Sequence, residues 1–94
     1  MPVTAILIRT KDHVATLTDQ VATGEPVLIT GQGEPREITA LSDMPAGHKL
    51  AIRPIMQYEH ILKYGEVIGE ATQDIAEGEH VHVHNCWGVK ARRH

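Results

Sequence analysis

Apolar residues recur along this chain in short runs separated by tight polar breaks, a pattern that predicts strands rather than long amphipathic helices. Residues 3–9 form a β-rich run suited to burial on both faces. Lys11-Asp12-His13 is a polar turn, and residues 14–17 resume an apolar segment. Residues 27–30 make another strand, closed by Gly31-Gln32-Gly33-Glu34-Pro35, the strongest local breaker and a hairpin loop. Over residues 36–41 the pattern alternates, with Ile38 and Ala40 on one face. The β signal is weakest over residues 11–22, which also accommodate one short helix. Tyr64-Gly65-Glu66 is a further turn, followed by a strand over residues 67–71.

A repeat underlies the second half. Met44-Pro45-Ala46-Gly47-His48-Lys49-Leu50-Ala51-Ile52 and Ile75-Ala76-Glu77-Gly78-Glu79-His80-Val81-His82-Val83 both read apolar-x-x-Gly-x-x-apolar-x-apolar, each preceded by an Asp, Asp43 or Asp74. Val21-Ala22-Thr23-Gly24-Glu25-Pro26-Val27-Leu28-Ile29 is a third copy. Ile55-Met56-Gln57-Tyr58-Glu59-His60-Ile61-Leu62-Lys63 is a fourth, with Tyr58 in the glycine position. Each copy supplies a tight turn, where glycine adopts positive φ, and then launches a strand. Similar turn chemistry arising independently would read the same way.

The last copy carries the sharpest chemical signal. In a strand side chains alternate between faces, so His80, His82 and His84 share one face and Val81 and Val83 take the other, which is the side to bury. Three readings stay open for the histidine face. It can ligate a divalent ion through His80, His82 and His84. It can be the wet face of an edge strand. Or it can line a pocket shared with another chain and bind an anion, with His84, beside Asn85 at the strand end, facing that site. Gly47-His48-Lys49 holds the matching place in its own repeat, so neighbouring repeats would bring His48 and Lys49 toward the histidine strand. Lys63-Tyr64 offers a further cation and a phenol before a turn, and Asp12-His13 is either an acid–base pair or local turn bonding.

Size and composition narrow the field. Ninety-four residues make one domain with one modest core, and with no Phe that core is aliphatic and thin. Lateral support from a partner subunit, or self-association through strand edges, fits such a core. The net charge of −3 provides no broad basic surface for nucleic acid. Cys86 is the single cysteine, which excludes an internal disulfide and suits a reducing cytoplasm. The N-terminal apolar run lacks a basic leader and is too short for a signal or membrane segment. No phosphate-binding glycine loop, CxxC, nucleophile elbow or EF-hand loop occurs. From Asn85 onward periodicity is lost, which divides the chain into a domain over 1–85 and a tail over 86–94. With Trp87 and the basic Lys90, Arg92 and Arg93, that tail reads as a frayed end or a docking arm.

Three segments together resemble the small SAF-type (β-clip) domain of the altronate/galactarate dehydratase family. They are Asp43-Met44-Pro45-Ala46-Gly47-His48-Lys49-Leu50-Ala51-Ile52-Arg53, Ile61-Leu62-Lys63-Tyr64-Gly65-Glu66-Val67-Ile68-Gly69, and the histidine segment from Asp74 to Asn85. The resemblance implies a mostly β fold of short strands joined by tight glycine-containing turns. It further implies a small subunit of a lyase that acts with a large catalytic subunit and is inactive alone. The family reaction is β-elimination from a small anionic hydroxy acid, either water from a sugar acid or sulfite from sulfolactate. A divalent iron or manganese would be held mainly by the large subunit. Carried over by position, the resemblance makes His48 and His84 catalytic, and Lys49, Lys63, Tyr64, His82 and Asn85 substrate-binding. Gln57-Tyr58 departs from the family's Ala-Gly in its turn, which raises the expectation of a rearranged turn, and Cys86-Trp87-Gly88 alters the exit segment. The competing readings are a free-standing carbohydrate-binding β-clip module and a free metal-binding domain. An ice-binding face is disfavoured by the histidines.

Overall fold

Short apolar runs can bury their side chains only as short strands. The computed structural model, which describes residues 2–88, contains nine of them and no helix among those residues. In chain order they are β1 (Val3–Ile6), β2 (Val14–Leu17), β3 (Pro26–Thr30), β4 (Arg36–Thr39), β5 (Lys49–Ala51), β6 (His60–Lys63), β7 (Glu66–Ala71), β8 (His80–Val81) and β9 (Cys86–Gly88). Six form one sheet in the order β4-β3-β1-β2-β5-β8, and three form a second in the order β6-β7-β9. The short helix that residues 11–22 also accommodated does not form. Those residues supply β2, whose Val14, Ala15 and Leu17 are all buried between the antiparallel neighbours β1 and β5. Burial on both faces of β2, between two neighbouring strands, therefore prevails over a weak local preference. Among the described residues no helix is long and apolar enough to cross a membrane.

Strand alternation divides the interior in two. Leu50 on β5 points into a core with Ala5, Leu17, Val27, Ile29 and Met44, whereas the adjacent Ala51 points into a second core with Val14, Ile55, Ile61, Ile75 and Val81. The large sheet is thus apolar on both faces where β2 and β5 cross it.

All four turn repeats adopt one conformation, and they meet in pairs. Val21 and Met44 exchange backbone hydrogen bonds in both directions at 2.9 Å, and Ile55 and Ile75 do the same at 2.7–2.8 Å. The aspartates that precede the second member of each pair reach across it. Asp43 Oδ1 accepts from the Thr23 amide at 2.8 Å, and Asp74 Oδ1 accepts from the Gln57 amide at 2.8 Å. The fourth position of each turn has positive φ: Gly24, Gly47, Gly78 and, at 74°, Tyr58. The turn at Gln57-Tyr58 is therefore not rearranged; neighbouring bonds hold tyrosine in a backbone region that favours glycine.

A buried carboxylate fastens the β6–β7 hairpin to the first sheet. Asp12 is fully buried and accepts hydrogen bonds from the Arg9, Tyr64 and Gly65 amides at 2.8–3.1 Å. Beside it, His13 accepts from the Leu62 amide through Nδ1 and meets Glu59 through Nε2 at 3.0 Å. The Asp12-His13 pair is a structural clamp.

Two substitutions separate strain from packing. A Cβ at Gly78 would collide with the Thr39 carbonyl oxygen in addition to the positive-φ strain. Gly78→Ala is therefore expected to cost about 2 kcal/mol or more. Tyr58→Gly removes the strained φ at an exposed side chain and is expected to be stabilising by about 0.5–1 kcal/mol. Urea denaturation midpoints measure both, and the two should move in opposite directions.

Candidate functional site

The histidine segment is not the continuous strand that alternation predicts. β8 ends at Val81, which is fully buried, and residues 82–85 turn back, leaving Val83 79% exposed. Asn85 causes the break. Its buried carboxamide accepts the His82 amide at 3.0 Å and donates to the His80 carbonyl at 2.8 Å and to Glu79 at 3.3 Å, while its own amide bonds the His82 carbonyl at 3.1 Å. A side chain that satisfies the backbone so fully competes with the β ladder. The turn nonetheless keeps the imidazoles together. The His80 and His82 rings stack with centroids 5.3 Å apart, and the His84 ring lies 5.5 Å from His80.

His48 enters from the turn just before the paired strand. β5 pairs with β8 in antiparallel register, Leu50 opposite His80 and Lys49 opposite Val81. This brings the His48 ring to 5.0 Å from His80 and 4.8 Å from His82. His48 Nδ1 and His80 Nε2 stand 2.8 Å apart, hydrogen-bond distance with one proton between them.

The repeat explains why a histidine can stand at position 48. In the other three turns this place is a glutamate whose Oε1 accepts the amide three residues earlier: Glu25 from Ala22, Glu59 from Met56 and Glu79 from Ala76, at 2.7–2.9 Å. In the His48 turn the residue three earlier is Pro45, which has no N–H to cap. Proline makes the glutamate unnecessary and leaves the side chain at 48 free to face the cluster. The sequence contains this paired departure, Pro with His in place of x with Glu, as a signal for the site.

Three ring nitrogens, one each from His48, His80 and His82, lie within 4.8 Å of one another; His48 and His80 are half-buried and His82 is exposed. His84 contacts His80 alone among these rings. The convergent set thus differs from the expected His80, His82 and His84 by the exchange of His84 for His48. Burial pushes the His80 pKa below its ordinary value, and the nearby His48, His82, His84 and Lys49 push it the same way. Burial raises the Cys86 thiol pKa against the opposing pull of Lys49, which keeps it a protonated thiol rather than a nucleophile.

Other expected site residues stand apart. Asn85, assigned to substrate by resemblance, is fully buried, and its side chain is engaged in the turn. Lys63 and Tyr64 flank the hairpin turn clamped by Asp12, with the ammonium 4.7 Å from the tyrosine ring centre, and no hydrogen bond or ring contact joins them to the histidines. A cavity of about 690 Å³ opens at the Val21–Met44 bridge and is lined by Asp19, Glu25 and Asp43. No histidine lines it, and its carboxylates make it unsuited to an anion. Cys86–Gly88 continues the second sheet beyond the boundary expected at residue 85, and the rest of the expected docking arm, with Lys90, Arg92 and Arg93, lies outside the described residues.

Known proteins provide an independent comparison. The altronate/galactarate dehydratase SAF domain matches residues 3–88. Altronate dehydratase of Bacillus subtilis (strain 168) is 39% identical over 80 residues, covering 85% of this chain and 15% of that protein. The (2R)-sulfolactate sulfo-lyase subunit alpha of Chromohalobacter salexigens is 52% identical over 50 residues, covering 53% of this chain and 50% of that subunit. Its counterpart in Paracoccus pantotrophus is 37% identical over 59 residues, covering 63% of this chain and 88% of that subunit. The chain therefore spans a small part of the altronate dehydratase and half of the Chromohalobacter subunit. An all-strand fold and a match over residues 3–88 together show that the chain belongs to the altronate/galactarate dehydratase SAF domain family.

Proposed function

We propose that this chain supplies one wall of a lyase active site whose remaining machinery resides in a larger catalytic subunit. The observation that carries the reading is the face formed by His48, His80, His82 and His84 with Lys49 nearby. It is rich in proton carriers, and no carboxylate belongs to the convergent histidine set. Such a surface suits a small anion and is incomplete as an enzyme by itself. The relatives support the class: one is named a dehydratase, and two are named subunits of a lyase.

The reaction is elimination from a hydroxy acid. A proton leaves the carbon beside the carboxylate, and hydroxide departs from the next carbon, taking a proton to become water. The enolate-like charge that develops would be stabilised by a divalent iron or manganese, which the larger subunit would mainly hold. In this chain Lys49 and exposed His82 would attract the substrate anion, and His48 and His84, which flank His80, would hand a proton to the leaving group. In the metal-free chain the His48–His80 contact fits that role, because a proton shared between two imidazoles can pass from either ring. The 52% identity with the Chromohalobacter subunit favours a second reading, in which the leaving group is sulfite from sulfolactate.

The depressed pKa of His80 means that the unfolded chain takes up its proton first, near the ordinary imidazole value of about 6.5. In chelator, stability should therefore fall as pH drops below that value and level off below the folded pKa. His80→Gln should flatten that slope in pH-dependent urea titrations. Co-purification from the native cell extract should recover a large lyase-type subunit in stoichiometric amount, and the complex should eliminate water from altronate or galactarate, or sulfite from sulfolactate. Recovery of the chain alone, with no activity restored by a co-expressed large subunit, would count against the lyase reading and favour a free-standing binding module.

A further inference from the structure

We infer that His48, His80 and His82 form a binding site for a divalent first-row transition metal within this chain itself, independent of any metal on a catalytic partner. Three imidazoles, from the turn before β5, from β8 and from the turn after β8, direct one nitrogen each into a region where all three lie within 4.8 Å of one another. Tetrahedral ligands at 2.0–2.1 Å from an ion stand about 3.3 Å apart, so side-chain adjustments of about an ångström close the set. The His48–His80 pair is already at 2.8 Å. An ion would replace the proton between those two nitrogens, with the displaced proton moving to the opposite nitrogen of its own ring, so both lone pairs face the metal and no net charge is lost from the rings. All-imidazole ligation selects zinc, iron, nickel or copper over magnesium or calcium.

The supporting shell is built for this purpose. Asn85 fixes the backbone of two of the three ligands at once, through the His82 amide and the His80 carbonyl, and is itself held by Glu79. The third ligand is fixed by its turn, in which the His48 amide bonds the Pro45 carbonyl at 3.3 Å and the His48 carbonyl accepts the Leu17 amide at 2.9 Å. Three protein ligands, with the exposed His82 on the solvent side, leave a fourth position open to water or an oxygen donor. His84 reaches only His80, which makes it a neighbour rather than a member of the set.

The test is equilibrium dialysis of the full 94-residue chain against Zn²⁺ at pH 7.5, with Mg²⁺ in parallel and bound metal quantified by elemental analysis. One Zn²⁺ per chain and no retained Mg²⁺ are expected. Loss of outer-shell partners costs about 10–100-fold in metal affinity, so His48→Ala or His82→Ala should weaken binding by at least ~100-fold, while His84→Ala and Cys86→Ser leave it within a few-fold. Circular dichroism shows whether each variant remains folded, and the exposed His82 makes its variant the decisive one. Absence of stoichiometric Zn²⁺, or binding that survives His48→Ala and His82→Ala, would overturn the assignment, as would binding lost through His84→Ala while His48→Ala retains it. None of these results depends on a partner subunit or on turnover, so they stand apart from the fate of the lyase reading.

Discussion

The reciprocal backbone bonding between paired turns is the constraint on which the rest of this small domain depends. Val21 with Met44 and Ile55 with Ile75 each lock two chain segments through a pair of hydrogen bonds, and Asp43 and Asp74 cap the partner turn from outside. The interior is aliphatic, and these bonds act together with the strand ladders and the Asp12 clamp to set the relative position of the strands. Each lock joins the turns that launch two strands, β3 with β5 and β6 with β8. The β5–β8 ladder then joins one locked pair to the other and brings His48 to His80.

The site arises where that repeated plan is broken twice. Glu25, Glu59 and Glu79 each cap their own turn, whereas Pro45 removes the amide that would need a cap and releases position 48 for histidine. Asn85 stops β8 after two residues and folds His82 back beside His80. A regular strand would have spread the three imidazoles along one face at alternate positions. The break instead gathers two of them around a third from another repeat. The histidine cluster arises from departures from the scaffold's own rule, which is where local sequence rules are expected to fail.

Much of this architecture is legible in the sequence. Alternation places Ile38 and Ala40 in the core, and the repeat identifies all four turns, including the one in which Tyr58 stands for glycine. The true path of the histidine segment is not legible, because periodicity describes backbone ladders and is blind to a carboxamide that satisfies the same groups. Val83 then faces solvent although its spacing marks it for burial. Nor can spacing show that Asp12 clamps the amides of Tyr64 and Gly65, more than fifty residues away. The strand at Cys86–Gly88 is hidden for a related reason: three residues are too few to show alternation, and their pairing with β7 is tertiary.

If the β5–β8 pairing brings His48 and His80 into direct hydrogen bonding in the free chain, the two rings must share a proton. Imidazole ¹⁵N NMR of the uniformly labelled protein, at neutral pH with chelator present, reads that proton directly. One slowly exchanging N–H shared between His48 Nδ1 and His80 Nε2 is expected, with each ring held in a single tautomer. Rings of both residues that average freely between tautomers, with no coupling or cross-peak between them, would contradict it.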